Sequence, residues 1–119
     1  MPSYSNQIDA VGVDLGHRYK SGASIDITLK FLDTNRRVID VSGRTYTGGI
    51  YNVTASTTQD MFVVDSSDAV NGIINLLVED TSSYTDENDY KVEVWETIGT
   101  KKNYIYGGSL VVEDSLLAP

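Results

Sequence analysis

Residues 24–31 read Ser-Ile-Asp-Ile-Thr-Leu-Lys-Phe, and polar and apolar side chains alternate at every position. Ile25, Ile27, Leu29 and Phe31 fall on one side of an extended chain, and the intervening polar residues fall on the other. This period of two predicts a half-buried β-strand, which we expect over residues 23–32. The rest of the chain repeats the same pattern and offers almost no helix.

Further segments with this pattern are separated by turns rich in Gly, Asp, Asn and Ser. We expect strands over residues 44–53, 61–64, 73–79, 90–96 and 104–113, the last two forming a hairpin. The Gly48–Gly49 pair predicts a bulge or a close backbone approach. Short strands without alternating helices favour an antiparallel β-sandwich or a small barrel over a parallel sheet.

The chain has 119 residues, which is the size of one domain. We expect a leader over residues 1–22, a β-sandwich over residues 23–113 and a tail over residues 114–119. Residues 8–15 are compatible with an extra strand that has Val11, Val13 and Leu15 on one face, and residues 16–22 are interpreted as a connector.

Charge and hydropathy limit the classes of partner. The net charge is −8, and an acidic surface repels both phosphate backbones and anionic lipid. The sequence therefore favours neither nucleic-acid binding nor membrane binding. Residues 1–7 lack the basic start and apolar core of a signal peptide, so we expect synthesis in the cytoplasm. The absence of cysteine excludes disulfides and is compatible with a reducing compartment.

The sequence indicates no catalytic or cofactor site. His17 is the only histidine, and it lies in a polar connector without an obvious partner, whereas a nucleophile needs a base held by a third group. Zinc needs several His or Cys ligands. The acidic loops at residues 65–71 and 86–89 lack the spacing of a calcium-binding EF-hand loop, and turns select the same residue types for backbone reasons. We therefore expect no enzyme activity, no metal and no cofactor.

The aromatic residues are more informative, because eight tyrosines and one tryptophan outnumber two phenylalanines. Tyr and Trp favour places that are apolar at one end and wet at the other. If Tyr90, Val92 and Val94 face inward, Trp95 faces outward, and Tyr104 and Tyr106 share a parity that places them beside it. Such a surface serves as a protein interface or a sugar platform, or it is covered by another strand or by the leader.

Five segments appear in an order that resembles the N-terminal domain of phage baseplate upper proteins and related tail-fibre domains. They are the alternating strand at residues 20–31, Val-Ile-Asp-Val-Ser-Gly at 38–43, Asn-Gly-Ile-Ile-Asn-Leu at 71–76, Tyr-Lys-Val-Glu-Val at 90–94 and Gly-Ser-Leu-Val-Val at 108–112. The chain departs from the family before Tyr90, where an acidic segment replaces the usual Leu-Pro-x-Gly turn.

The resemblance implies an immunoglobulin-like β-sandwich of about seven or eight antiparallel strands. It also implies a non-enzymatic assembly protein of a tailed-phage virion, in the tail, baseplate or fibre, with other virion proteins and copies of itself as partners.

We expect Trp95, Tyr104 and Tyr106 to make the contacts, with residues 8–15 as an arm that adds a strand to a neighbour. The alternative is a carbohydrate-binding module that uses the same aromatic residues to recognise a host-surface glycan, with Asn103 and Asp114 as polar partners.

Overall fold

The computed structural model describes residues 8–11 and 18–117. Within these ranges, nine strands follow one another, and a short 3-10 helix (Ala69–Asn71) separates the sixth from the seventh. The strands are β1 (Ile8–Val11), β2 (Arg18–Lys20), β3 (Ile25–Phe31), β4 (Thr45–Asn52), β5 (Thr57–Met61), β6 (Val63–Asp65), β7 (Ile73–Val78), β8 (Tyr90–Ile98) and β9 (Lys101–Glu113).

The strands form two sheets, in the orders β1-β3-β7-β6 and β2-β9-β8-β4-β5. The order β1-β3-β7-β6 corresponds to the four-stranded sheet of an immunoglobulin domain. The other sheet contains the three strands of the second immunoglobulin sheet, β9-β8-β4, and is extended by β2 and β5 at its edges. The predicted all-β, immunoglobulin-like sandwich is therefore confirmed. One described pairing departs from the expected antiparallel arrangement, because β2 runs parallel to β9.

The core consists of the inward residues of both sheets, as the alternation predicts. Ile25, Ile27, Leu29 and Phe31 of β3 are buried, and the strand's burial alternates along its whole length. The pattern in β8 is equally regular, with Tyr90, Val92 and Val94 buried as expected. The other fully or largely buried apolar residues are Val41, Tyr46, Ile50, Phe62, Ala69, Ile74, Leu76, Val78, Tyr84, Leu110 and Val112.

The close approach predicted at Gly48 and Gly49 is confirmed. A Cβ on Gly48 would collide with the Glu93 carbonyl oxygen of β8, and one on Gly49 would collide with the Asp60 carbonyl oxygen of β5. The two glycines therefore let β4 lie tightly between its neighbours. The bulge in this part of the sheet falls slightly later, between Ile50 and Tyr51.

The strand predicted over residues 61–64 is wrong, because the chain changes sheets within it. Met61 ends β5 in the five-stranded sheet, and Val63 begins β6 in the four-stranded sheet. Phe62 between them is buried, and its N–H donates to the Gly48 carbonyl at 2.8 Å. The apolar run from Met61 to Val64 has no turn residue that would mark the crossover.

Parts of the predicted leader pair with the rest of the chain. β1 forms one edge of the four-stranded sheet by pairing with β3, and β2 lies beside the last strand, β9. The connector predicted over residues 16–22 is therefore wrong at residues 18–20, which form β2. Tyr19 is the one apolar residue among these three, so the segment is too short and too polar to show an alternating pattern. The remainder of the expected arm, including Val13 and Leu15, lies outside the described residues, as does His17.

Two tyrosines close the end of the sandwich at which β8 begins. The Tyr90 hydroxyl accepts the Thr85 N–H at 3.0 Å, which is the tyrosine-corner arrangement of immunoglobulin-like sandwiches. The Tyr84 ring stacks on Tyr90 with 5.0 Å between ring centroids, and its hydroxyl donates to Asp60 at 2.7 Å. The polar segment before β8 is thereby tied to both β8 and β5.

A buried hydroxyl joins two loops at the same end. Thr81 is almost completely buried. Its hydroxyl donates to the Ala23 carbonyl at 2.6 Å and accepts the Gly22 N–H at 2.9 Å. This side chain connects the loop after β7 to the loop before β3.

Replacing Thr81 with valine retains the side-chain shape and removes both hydrogen bonds. Because the substitution removes two hydrogen bonds made by a buried hydroxyl, we expect Thr81→Val to lower the free energy of unfolding by about 1–3 kcal/mol. Urea unfolding measures the change. The matched control is Thr45→Val, an exposed strand position, which should change stability by less than about 0.5 kcal/mol. Equal effects of the two substitutions would contradict the role of Thr81.

Candidate functional site

The solvent side of the five-stranded sheet, here called the outer face, carries the exposed aromatic residues. Trp95 is 39% exposed and Tyr104 is 51% exposed. The two residues are directly paired between β8 and β9, with 5.4 Å between ring centroids and 59° between ring planes. The predicted outward orientation of Trp95 and its contact with Tyr104 are therefore confirmed.

The predicted placement of Tyr106 beside Trp95 is wrong. A bulge in the β8–β9 ladder pairs Trp95 with Tyr104 but the preceding residue, Val94, with Tyr106. Val94 is completely buried, and Tyr106 packs against the core from the inner side of the sheet. The extra residue in β9 therefore turns Tyr106 away from the outer face. A count of alternating residues does not reveal such a bulge.

Beside Trp95 the outer face forms a depression of about 430 Å³. Its floor is low at Gly49, which has no side chain and belongs to a row of paired residues that crosses four strands. Met61, Gly49, Glu93 and Gly107 are successive partners in this row, so Glu93 lies between two glycines. The outer-face depression is lined by Thr47, Gly48, Gly49, Ile50, Tyr51, Thr58, Met61, Lys91, Glu93 and Trp95.

Glu93 orients the indole of Trp95. The Trp95 Nε1–H donates to Glu93 Oε1 at 3.0 Å, which fixes the ring and the carboxylate relative to each other. Within the described residues, this is the one hydrogen bond made by the Glu93 side chain, and Oε2 is open to an incoming donor. An aromatic ring beside a carboxylate is suited to binding a cationic side chain, or a sugar with donor hydroxyls.

Tyr51, Met61 and Glu93 belong to this surface and were missed by sequence reasoning. Glu93 and Trp95 have the same parity in β8, so the sequence contained the signal for Glu93. Tyr51 has the outward parity in β4, but its position beside Lys91 depends on strand register. Met61 reaches the surface through the pairing of β5 with β4, and no alternation marks β5 in the sequence.

Gly107 makes room for Tyr104. The Tyr104 hydroxyl lies over the Gly107 Cα, where a Cβ would collide with it and with the Val92 carbonyl oxygen. The Tyr104 ring therefore extends along β9 over a position that has no side chain.

The substitution Gly107→Ala tests this arrangement. We expect it to displace Tyr104, to change the environment of Trp95 and to lower stability by about 1–3 kcal/mol, since the strand must also shift. Trp95 is the only tryptophan, so the emission spectrum reports on this site alone. Gly43→Ala is the control, because nothing lies within 4 Å of a Cβ there. An unchanged emission spectrum in Gly107→Ala would contradict the packing described.

A buried polar cluster lies beneath the end of the same sheet. Glu96 is completely buried, and its Oε2 accepts the Tyr46 hydroxyl at 2.7 Å and pairs with Arg44 Nη1 at 3.4 Å. Its Oε1 has no hydrogen-bond partner. Burial raises the pKa of Tyr46, and the hydrogen bond to Glu96 acts in the same direction. Glu96 and Tyr46 are buried and Arg44 is partly exposed, so the cluster ties the interior of this end of the sandwich to its surface.

Burial likewise raises the pKa of Tyr84, and its hydrogen bond to Asp60 adds to the effect. Because an unfolded tyrosine ionises near pH 10, deprotonation above that pH favours the unfolded chain. The stability contributed by a tyrosine with a raised pKa is therefore fully present below about pH 10 and is lost as the pH rises further.

We expect the free energy of unfolding to fall as the pH rises above about 10, and to fall less steeply in Tyr84→Phe than in the wild type. Urea unfolding between pH 8 and about 11 gives the two slopes. Tyr104→Phe removes an exposed phenol and should keep the wild-type slope. If all three proteins have the same slope, Tyr84 does not supply this pH dependence.

The acidic loop residues mostly serve as turn acceptors. The side chains of Asp40, Asp65 and Asp80 each accept the backbone N–H of the serine two positions later, at 2.9 Å. Hydrogen bonding to these serines lowers the pKa of each of the three carboxyl groups. In the part of the chain that the structure describes, no group of three or more His, Asp or Glu residues is arranged to hold a metal ion.

Comparison with known proteins supports the fold alone. No family model and no curated protein matches the chain. The chain is similar to the Lin-41 filamin domain, with a TM-score of 0.56 and 12% sequence identity. The alignment covers 93% of this chain and 95% of the filamin-domain chain. The comparison also found titin M4 in its trigonal form, with a TM-score of 0.46 and 8% sequence identity. This alignment covers 91% of this chain and 95% of the titin chain.

At 12% identity, the similarity to the Lin-41 filamin domain supports the β-sandwich fold alone and carries no functional information. The resemblance to phage baseplate upper proteins stays a prediction. Among the described residues, no helix has the length and apolarity needed to cross a membrane.

Proposed function

We propose that this chain is a non-enzymatic assembly domain of a tailed-phage virion, and that it works through protein–protein contacts of its outer face. The partners are other virion proteins and copies of the chain itself, and the protein resides in the particle. The virion assignment rests on the sequence resemblance. The contact surface rests on the geometry of the outer face.

The observation that carries the proposal is the exposure of Trp95 and Tyr104 beside the outer-face depression. Large aromatic residues are enriched at protein interfaces, because they bury much area with little loss of conformational entropy. The hydrogen bond from Trp95 to Glu93 holds the indole in place before a partner arrives. Pre-organisation of this kind lowers the entropic cost of binding.

The chemistry of the depression also supports a binding role over catalysis. Its polar side chains are the carboxylate of Glu93, the ammonium of Lys91 and the hydroxyls of Thr47, Thr58 and Tyr51. The chain has no cysteine, and the depression has no histidine to act as a base for a hydroxyl nucleophile. These groups recognise a partner by charge and hydrogen bonds.

Carbohydrate binding is the second candidate, and the exposure of Trp95 and Tyr104 favours it too. Its geometry is less suitable, because the two rings are inclined by 59° and form no flat platform for successive sugar rings. Asp114, expected as a polar partner, follows the opposite end of β9 from Tyr104. Ten residues of strand correspond to about 33 Å, so Asp114 does not reach the same ligand.

Sedimentation velocity over rising protein concentration tests the proposed surface. We expect the wild type to self-associate and Trp95→Ser to weaken the association at least about tenfold, because the substitution removes an aromatic anchor. The control is Val63→Ser on the four-stranded sheet, where an apolar side chain that is more exposed than Trp95 (66% against 39%) is removed from the other sheet. The control should associate like the wild type.

Two further results would overturn parts of the proposal. A wild type that stays monomeric at every concentration contradicts the contact between copies. Glycan-array binding that is lost in Trp95→Ser and retained in Val63→Ser would replace assembly by carbohydrate recognition. Mass spectrometry of purified phage particles tests the virion assignment, which fails if peptides of this chain are absent.

A further inference from the structure

A tight turn between β3 and β4 holds two arginines at one end of the sandwich. The Asp33 carboxylate accepts the N–H groups of Asn35 and Arg37, at 2.8 and 2.9 Å. The Asp33 N–H donates to the Arg37 carbonyl at 2.8 Å. Arg36 has the left-handed backbone conformation, with φ of 62°. These contacts define the backbone of the turn at residues 33–37, here called the arginine turn, and both arginine side chains are exposed.

The guanidinium groups of the arginine turn form no ion pair within the described residues, and the Asp33 carboxylate of the same turn offsets one of the two positive charges. The two ion pairs found there join Lys20 to Glu113 and Arg44 to Glu96, and neither involves Arg36 or Arg37. The chain as a whole carries a net charge of −8. Two adjacent exposed guanidinium groups on an acidic protein form a local positive site that an acidic surface would attract.

The outer-face depression offers the complementary chemistry. A guanidinium group stacks on an aromatic ring and donates in parallel to a carboxylate. Trp95 supplies the ring, and Glu93 supplies a carboxylate oxygen that accepts no hydrogen bond within the described residues. Lys91 is paired with Tyr51, whereas Glu93 is hydrogen-bonded to Trp95, so the carboxylate and not the ammonium group adjoins the indole.

We propose that the arginine turn of one copy docks in the outer-face depression of a second copy. An arginine of the turn stacks on Trp95 and pairs with Glu93. Val38, which follows the turn and is 55% exposed, packs against the exposed side chain of Met61. The inference rests on the proposed function and specifies its contact between copies. The volume of about 430 Å³ lies in the range of roughly 300–1,000 Å³ that is typical of ligand pockets.

The contact joins two different surfaces, an end loop of one copy and a sheet face of the next. In such a heterologous contact, the copy at one end of an assembly has a free turn and the copy at the other end has a free depression. Further copies can therefore add until the ends meet in a closed ring, or without limit as a filament. Because the contact depends on exposed charges, added salt weakens it. Both features agree with a component that is present in multiple copies in a particle.

Charge reversal on the two sides gives the sharpest test. One variant carries Glu93→Arg, and the other carries Arg36→Glu together with Arg37→Glu. Each variant alone places like charges on both sides of the contact, so we expect self-association in sedimentation velocity to weaken at least about tenfold. An equimolar mixture offers two complementary contacts. The unchanged arginine turn of the Glu93→Arg variant faces Glu93 of the other variant, and the glutamates of that variant's turn face the introduced arginine. Association should therefore return in the mixture, with the two variants alternating. Lys30→Glu, a charge reversal on the four-stranded sheet, is the control and should associate like the wild type.

The outcomes separate this inference from the proposed function. Self-association that is lost in Trp95→Ser but unchanged in the double arginine variant overturns the docking of the turn and leaves the outer face as the interface. A mixture of the two variants that stays monomeric also overturns it. Urea unfolding of each variant confirms that the exposed substitutions leave the domain folded.

A different occupant would have its own signature. Wild-type protein that stays monomeric, but whose Trp95 emission shifts when a peptide with two adjacent arginines is added, excludes the second copy as the occupant. Such a result would assign the depression to a basic loop of another protein. The same titration with Glu93→Gln should then show weaker binding.

Discussion

The structure depends on the strict alternation of β8, in which every second side chain faces the core. Tyr90, Val92, Val94 and Glu96 are buried, so the residues between them have to face solvent. Because a slip of one residue would expose the whole buried set, the burial of four side chains fixes the register of the strand. The position of Glu93 and Trp95 on the outer face follows from this constraint.

The neighbours of β8 convert that exposed row into a site. Gly49 on one side of Glu93 lowers the floor of the depression, and Gly107 on the other side makes room for the Tyr104 ring. The bulge in β9 brings Tyr104 against Trp95 and turns Tyr106 towards the core. A sheet of regular strands with larger side chains would present a flat surface here. The outer-face depression thus arises from local departures from regular strand geometry, held in place by a regular core.

Alternation predicted the parts of the fold in which one face is buried. The strands β3, β4 and β8 and the outward direction of Trp95 were evident from a period of two, whereas β7 was evident as a nearly continuous apolar run that follows a turn. The polar edge strand β5 and the switch of sheets at Phe62 were not, because edge pairing leaves no apolar pattern. The parallel pairing of β2 with β9 depends on contacts distant in sequence. The missed residues Tyr51 and Met61 reach the site through such pairings, and the position of Tyr106 was wrong because alternation does not reveal a bulge.

The proposed contacts cover the outer face, and the accessibility of its single tryptophan measures this directly. Acrylamide quenching of Trp95 emission can be recorded from dilute to concentrated protein. If copies or partners cover the outer face, the quenching constant falls as association proceeds. A quenching constant that stays unchanged while sedimentation shows the protein associating would place the contact elsewhere and contradict the account.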